Sequence, residues 1–202
     1  MSAAYQPVDF WFDPVCPYTW VTSRWLREVE RVRDIDVRWR VMSLAVLNEH
    51  LDVDPEDPEG QWGEYLRAPS RVCAAVRERH GSAALGAYLD ALGARLHEHG
   101  DWEGVGRALQ DAGLPTELAG VAWSDEYDPV VRASHEEGIA LVGTGVGTPV
   151  LSAPGVGALF GPVVSPAPRG ERAGRLWDGV LLIAGVRGFH ELKRAAAEPD
   201  FG

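Results

Sequence analysis

Cys16 is the residue whose neighbours best equip it for chemistry. It sits in Asp13-Pro14-Val15-Cys16-Pro17-Tyr18-Thr19, after the alternating aromatic run Val8-Asp9-Phe10-Trp11-Phe12. Beyond it, Trp20, Ser23, Trp25, Leu26, Val29 and Glu30 recur at three- and four-residue spacing. The pattern predicts a strand, a short turn and a helix over residues 19–32. Pro17 falls just inside the helix start, where its missing N–H costs nothing. The first N–H groups of a helix lack intrahelical partners and the dipole is positive there, so both favour a thiolate. Such positions bring a cysteine pKa from about 8.5 to roughly 3.5–7.5. Taken alone, a cysteine is most often a small buried hydrophobe. Its place between Pro14 and Pro17, opening a helix, favours the nucleophile.

A dithiol oxidoreductase needs a second Cys three residues on, to resolve a mixed disulfide internally. Here that position is Thr19. Its hydroxyl lies one helical turn from the sulfur and can donate a hydrogen bond to it, but it cannot form a disulfide. The site is therefore monothiol, and an external thiol must release any mixed disulfide on Cys16.

The second signal is Gly147-Thr148-Pro149-Val150. Proline is disfavoured inside a strand because it lacks a ladder donor. A cis peptide before Pro149 would explain it, and would leave the Thr148 backbone to pair with an extended thiol beside Cys16. The plainer reading, a trans-proline opening an edge strand, gives way once the segment is taken together with Cys16.

Other residues are candidates of lower rank. Tyr18 and Trp20 follow Cys16 directly and, with Pro17, are read as one wall of a flat substrate pocket. Asn48 and His50, just after the second strand, are candidates to line the cleft. His135 would stabilise a thiolate or move a proton if its helix packs near the site; otherwise it is a solvated or capping histidine. His97 and His99 flank Glu98 at a helix end, where dipole complementarity is the simpler role than metal ligation. Cys73, on an apolar helix face, is read as core packing, with a resolving thiol as the alternative. The glycines of 143–147 follow a helix and precede a strand, the reverse of a dinucleotide-binding loop. No metal and no nucleotide cofactor are expected.

The elements around these residues run in a definite order. A second strand, Asp36-Val37-Arg38-Trp39-Arg40-Val41-Met42, completes a βαβ unit. Residues 52–60 are acidic and proline-rich and read as a loop. From about 61 to 142 the periodicity is helical, with helices expected at 70–79, 82–97, 102–112, 115–123 and 129–142. Strands return at 148–152 and 156–160 around the Pro154-Gly155 turn. Helices at 171–182 and 189–197 follow. The fold class is α/β: a thioredoxin fold from residues 1–45 and 143–202, carrying an all-helical insertion, or lid, over residues 46–142.

The totals agree with this. The chain has 202 residues, 46% hydrophobic and 24% charged, enough for a real core. A net charge of −11 repels phosphate backbones and anionic lipid, so neither nucleic acid nor a membrane is an expected partner. Residues 1–9 show neither the basic nor the apolar region of a signal peptide, which predicts a cytoplasmic location. There, two cysteines are more often free or catalytic than a structural disulfide.

Phe10-Trp11-Phe12-Asp13-Pro14-Val15-Cys16-Pro17 resembles the DsbA-like thioredoxin superfamily and, more narrowly, its mycothiol-dependent nitroreductase branch. Further matches are Thr22-Ser23-Arg24-Trp25, Val41-Met42-Ser43-Leu44-Ala45, Leu47-Asn48-Glu49, Gly147-Thr148-Pro149, Phe160-Gly161-Pro162-Val163 and Glu191-Leu192-Lys193-Arg194. The resemblance implies a thioredoxin fold with a helical insertion and a low-molecular-weight thiol, mycothiol, as cofactor. It implies a small electrophilic or reducible second substrate, and it leaves room for a homodimer. The family's usual site is Cys-Pro-Trp-Cys. Here Tyr18 replaces the Trp and Thr19 the second Cys, which moves the site towards kappa-class glutathione transferases and 2-hydroxychromene-2-carboxylate isomerases, similar in fold. Three readings follow: a thiol-dependent oxidoreductase with Cys16 as nucleophile; a transferase or isomerase that activates a bound thiol non-covalently; and a non-catalytic thiol-binding protein.

Overall fold

The computed structural model describes residues 5–195 and 198–201. Its centre is a four-stranded sheet in the order β2-β1-β3-β4. β1 (Gln6–Phe12) and β2 (Ile35–Val41) run parallel, joined by helix α1 (Pro17–Glu30). β3 (Val150–Ala153) lies antiparallel to β1, and β4 (Gly157–Phe160) antiparallel to β3. Period-two alternation sorts β1 between two faces. Val8, Phe10 and Phe12 enter the large core with Trp25, Leu26 and Trp39. Trp11 joins Met42 and Val150 in a smaller cluster, packed by Ile139 and Val142.

Each face is covered by helices with an apolar stripe. On the first, α1 packs on α6 (Glu171–Ala184): the Trp25 and Trp177 rings are 6.2 Å apart, and Trp25 Nε1 donates to the Ala173 carbonyl at 3.1 Å. Trp39 is sandwiched on the same face, with the Arg27 guanidinium 4.5 Å from its ring centroid. A Cβ on Gly86, in the helix over residues 63–93, would come within 2.6 Å of its Nε1, so only glycine admits that helix so close. The second face is closed by α5 (Asp128–Val142), where Gly138 lets Trp11 lie against the helix backbone.

Between β2 and β3 the regular elements of the described residues are helical, as the periodicity predicts. α2 (Leu44–Leu47) is a single turn capped by Ser43. The expected helices at 70–79 and 82–97 form one stretch, α3 (Gly63–Gly93), broken at Gly81, whose φ of 86° lies outside the helical region. A wide π-helical turn, Ala94–Glu98, extends it. α4 (Val105–Asp111) follows, and the segment expected to be helical at 115–123 is a tighter 3₁₀ helix, Thr116–Trp123. One expected element is absent. Residues 189–195 are irregular, and 196–197, the end of that expected helix, lie outside the described residues. His190 to Ala195 are exposed, Leu192 by 80%, so no apolar face is buried to offset the entropy of ordering a helix.

Candidate active site

The site forms beyond the end of the two central strands, where β1 leads into α1 and the chain enters β3. Cys16 is the N-cap residue of α1, with an extended backbone (φ −79°, ψ 115°) and Pro17 at the first helical position. Its carbonyl accepts the first intrahelical bond from Trp20 N–H at 3.1 Å. The antiparallel register pairs Trp11 with Val150. Continued two residues past the ladder, it sets Asp13 opposite Thr148. Asp13 N–H indeed donates to Thr148 Oγ1 at 3.2 Å. Topology thus brings two residues 135 apart in sequence to the same spot, with Cys16 three residues beyond the junction. The Thr148–Pro149 peptide bond is cis.

The sulfur is largely enclosed, and Cys16 is 7% exposed. Burial pushes its thiol pKa up. The neighbouring Thr19 hydroxyl and the N–H groups of Thr19 and Tyr18 pull it down; the charge of Asp13 adds a smaller upward push. The net displacement is upward, which corrects the expectation of a thiol acidified by the helix start. Desolvation of the charged form outweighs the neighbouring donors. Thr19 is fully buried, and its Oγ1 lies 3.1 Å from Thr148 Oγ1. Asp13 N–H, Thr148 Oγ1 and Thr19 Oγ1 therefore form a short polar line next to Cys16.

Asp13 is the participant that the sequence reading passed over as a turn residue. It is wholly buried. One carboxylate oxygen accepts Val15 N–H at 2.8 Å, and the other accepts Leu44 N–H at 2.6 Å, at the start of α2. Its pKa is pushed up to about 7, because burial outweighs the two backbone donors; the charges of Glu56 and Asp54 add to the rise. An Asp whose carboxylate accepts the N–H two residues on is a recognisable Asx signature, but the bond to Leu44 reaches the turn after the next strand and leaves no local mark.

The other candidates fall in different places. His135 is buried, not solvated: its Nδ1 faces Ser43 N–H at 3.5 Å, and burial lowers its pKa, with Arg132 lowering it further. It thus lies one residue from the Leu44 that Asp13 holds. Trp20 is 1% exposed. Its ring lies against Gly93, where a Cβ would be 2.1 Å away, and stacks on His97 at 6.5 Å. Tyr18 and Pro17 are half-buried. The Asn48 side chain donates to Asp54 at 2.8 Å in the acidic loop, and His50 is exposed. Cys73 is entirely buried in the core as a free thiol, pushed well up by desolvation.

His97 does more than cap a helix. Its Nε2 is 2.9 Å from the Pro14 carbonyl, two residues from Cys16, and its ring contacts Trp20, Trp102 and Phe201. Nothing local in the sequence places residue 97 against residue 14. Among the described residues, no group of three or more His, Cys, Asp or Glu side chains is arranged to hold a metal ion, and no helix is long and apolar enough to cross a membrane.

A cysteine at the N-terminus of the helix after β1, facing a cis-proline that opens β3, defines a thioredoxin-fold thiol protein of the DsbA-like kind. Solved structures agree on the fold. A 2-hydroxychromene-2-carboxylate isomerase superposes with a TM-score of 0.61 at 14% identity, over 86% of this chain and 94% of its own. A probable DsbA oxidoreductase of Streptomyces coelicolor gives 0.57 at 21% identity, over 98% of both chains. The chain belongs to the Rv2466c-like family, that of the mycothiol-dependent nitroreductase Rv2466c, whose model matches residues 15–194. It is also 35% identical to the uncharacterised protein Rv2286c of Mycobacterium tuberculosis, over 96% of this chain and 84% of that one. The family is one of oxidoreductases, and its namesake depends on a low-molecular-weight thiol.

Proposed function

We propose that the protein is a thiol-dependent oxidoreductase in which Cys16 is the sole redox sulfur and mycothiol, or a thiol of similar size, is the reductant. The observation that carries this reading is the setting of Cys16: the N-cap residue of α1, on a chain segment bonded to the Thr148 side chain through Asp13 N–H, beside the cis Thr148–Pro149 peptide. The unpaired N–H groups of the helix start are fixed before any charge develops, so they favour the thiolate without reorganising.

In the first half-reaction the Cys16 thiolate attacks one sulfur of a disulfide R–S–S–R′. A Cys16–S–S–R bond forms, the old S–S bond breaks, and R′S⁻ leaves to take a proton from solvent. An external thiolate then attacks the R sulfur, forming a new disulfide with it and returning the Cys16 thiolate. Reduction of a nitro group to nitroso is a separate reaction with no substrate disulfide: two molecules of the external thiol supply its two electrons and two protons, and one disulfide and one water form. Thr148 and Pro149 hold the extended thiol, Tyr18 and Pro17 border it, and residues 46–142 act as a lid over the core formed by 1–45 and 143–202. The reaction takes place in the cytoplasm.

A second reading is favoured by the elevated Cys16 thiol. If Cys16 stays protonated, the same donors serve the thiolate of a bound thiol, and the protein is a transferase or isomerase. The two readings part on Cys16→Ser assayed for mycothiol-dependent reduction of a mixed disulfide and of a nitroaromatic probe. The oxidoreductase reading expects turnover to vanish. Retained turnover in the serine variant overturns it and favours the second.

A further inference from the structure

We propose that the helical insertion carries a binding cleft for a planar aromatic cation, such as an N-alkylated heterocycle, with Tyr65, Trp102 and Trp123 as its walls and Glu103 as the countercharge. The inference goes beyond the chemistry of Cys16 and does not depend on it.

The cleft lies between the N-terminal part of α3, the start of α4 and the 3₁₀ helix Thr116–Trp123. Its volume is about 240 Å³. A cavity of roughly 150 Å³ takes one benzene ring, so this one has room for two fused rings. Ala68, Val105 and Ala119 give it an aliphatic floor. Its three aromatic walls are more than half exposed: Tyr65 by 52%, Trp102 by 53% and Trp123 by 62%. Large apolar side chains left to water around a concavity mark a place for a ligand.

The ring geometry says what shape the ligand has. Tyr65 stands at 81° to Trp123 with centroids 5.1 Å apart, and Trp62 braces it at 70° and 5.8 Å. A flat ligand can stack on one of two such walls while its positive edge meets the face of the other. Trp102 is held separately, edge-on to His97 at 6.2 Å.

The charges say what sign the ligand carries. Among the described residues that line the cleft, Glu103 alone is charged. The cations near it in sequence, Arg95 and Arg107, both pair with Asp101 instead. Positive charge is therefore attracted twice, by the π-faces and by Glu103. An anionic ring would meet Glu103 and a net charge of −11. A neutral ring would gain the apolar contact alone.

The test is isothermal titration calorimetry of the whole protein with three bicyclic probes: N-methylquinolinium, uncharged quinoline and 1-naphthoate. N-methylquinolinium should bind about tenfold more tightly than quinoline, and 1-naphthoate should not bind. Glu103→Gln should weaken the cation about threefold and leave quinoline unchanged. Trp123→Ala should weaken both about tenfold, and Trp123→Phe should recover most of the loss. Both positions are exposed, so the fold is spared. Quinoline or 1-naphthoate binding as tightly as the cation, or cation binding unchanged in Trp123→Ala, overturns the proposal. So does an absence of cation binding, including the case of a dimer in sedimentation that dissociates in Trp123→Ala, which would assign the aromatic face to a second copy of the chain. No step at Cys16 enters these measurements, so their failure leaves the oxidoreductase reading standing.

Discussion

The carboxylate of Asp13 accepts the backbone N–H of Leu44 at 2.6 Å, joining the end of β1 to the turn after β2 directly beneath the active-site loop. It does so from a fully buried position, with its pKa raised to about 7. The fold therefore favours its neutral form relative to the unfolded chain, where a carboxyl ionises near 3.9. Between those values the native state binds more protons than the unfolded state. The stability Asp13 contributes is present below about pH 4 and is lost as pH rises through 7, on the order of 4 kcal/mol in all. Buried His97 and His135, both lowered, act in the opposite sense over part of this range. The comparison with Asp13→Asn isolates the carboxyl: urea unfolding from pH 4 to 8 should show wild type losing stability relative to the variant as pH rises. Parallel curves would contradict the burial argument.

Cys16 is raised above its ordinary value by desolvation. Its reaction with oxidised glutathione or mycothiol should accordingly keep accelerating past about pH 9. A rate already level at pH 7 would mean that the helix-terminal donors outweigh burial.

Thr19→Cys turns the site into Cys-Pro-Tyr-Cys. The second sulfur then lies one helical turn from the first and can resolve the mixed disulfide internally. Wild type should accumulate the Cys16 adduct under oxidising conditions, while the variant should pass to an internal disulfide, read by intact mass as a loss of two hydrogens.

Gly93 lies under the Trp20 indole with no room for a methyl group. Gly93→Ala should destabilise the protein by about 1–3 kcal/mol, measured by thermal or urea unfolding. Trp20 belongs to the first turn of the helix that begins at Cys16, so activity should fall alongside. An unchanged Tm would show that α3 can shift away.

His97→Phe keeps the ring stack on Trp20 and deletes the bond to Pro14. The loss of one buried hydrogen bond should cost about 1 kcal/mol, and the loosened Pro14–Cys16 turn should lower kcat. Normal kcat would mark His97 as a packing residue alone.

The sequence displayed what is local. Alternation in Val8 to Phe12 and 36–42, and three-four spacing after Thr19, marked the βαβ unit to within two residues. Pro17 and Gly155 marked a helix start and a turn. Merging of helices across Gly81 was beyond it, because a single glycine reads equally as a break or a kink. The unformed helix at 189–195 had the spacing but no surface to pack on. The site divided the same way. Cys16, Thr19 and the Thr148-Pro149 pair carry motif signatures. The reach of Asp13 to Leu44 and of His97 to Pro14 depends on strand register and on how α3 lies, neither of which is written in neighbouring residues. Burial of the sulfur, which reverses the expected direction of its pKa, is likewise a tertiary property.

The most direct test of Cys16 as the sole redox sulfur is intact-protein mass after incubation with oxidised mycothiol or oxidised glutathione, on wild type and Cys16→Ser. The account predicts one adduct in wild type, mapped to Cys16, forming faster as pH rises, removed by free thiol and absent from the serine variant. No adduct on Cys16 at any pH at which it still reacts with small alkylating agents, or an adduct that persists in Cys16→Ser, would contradict it.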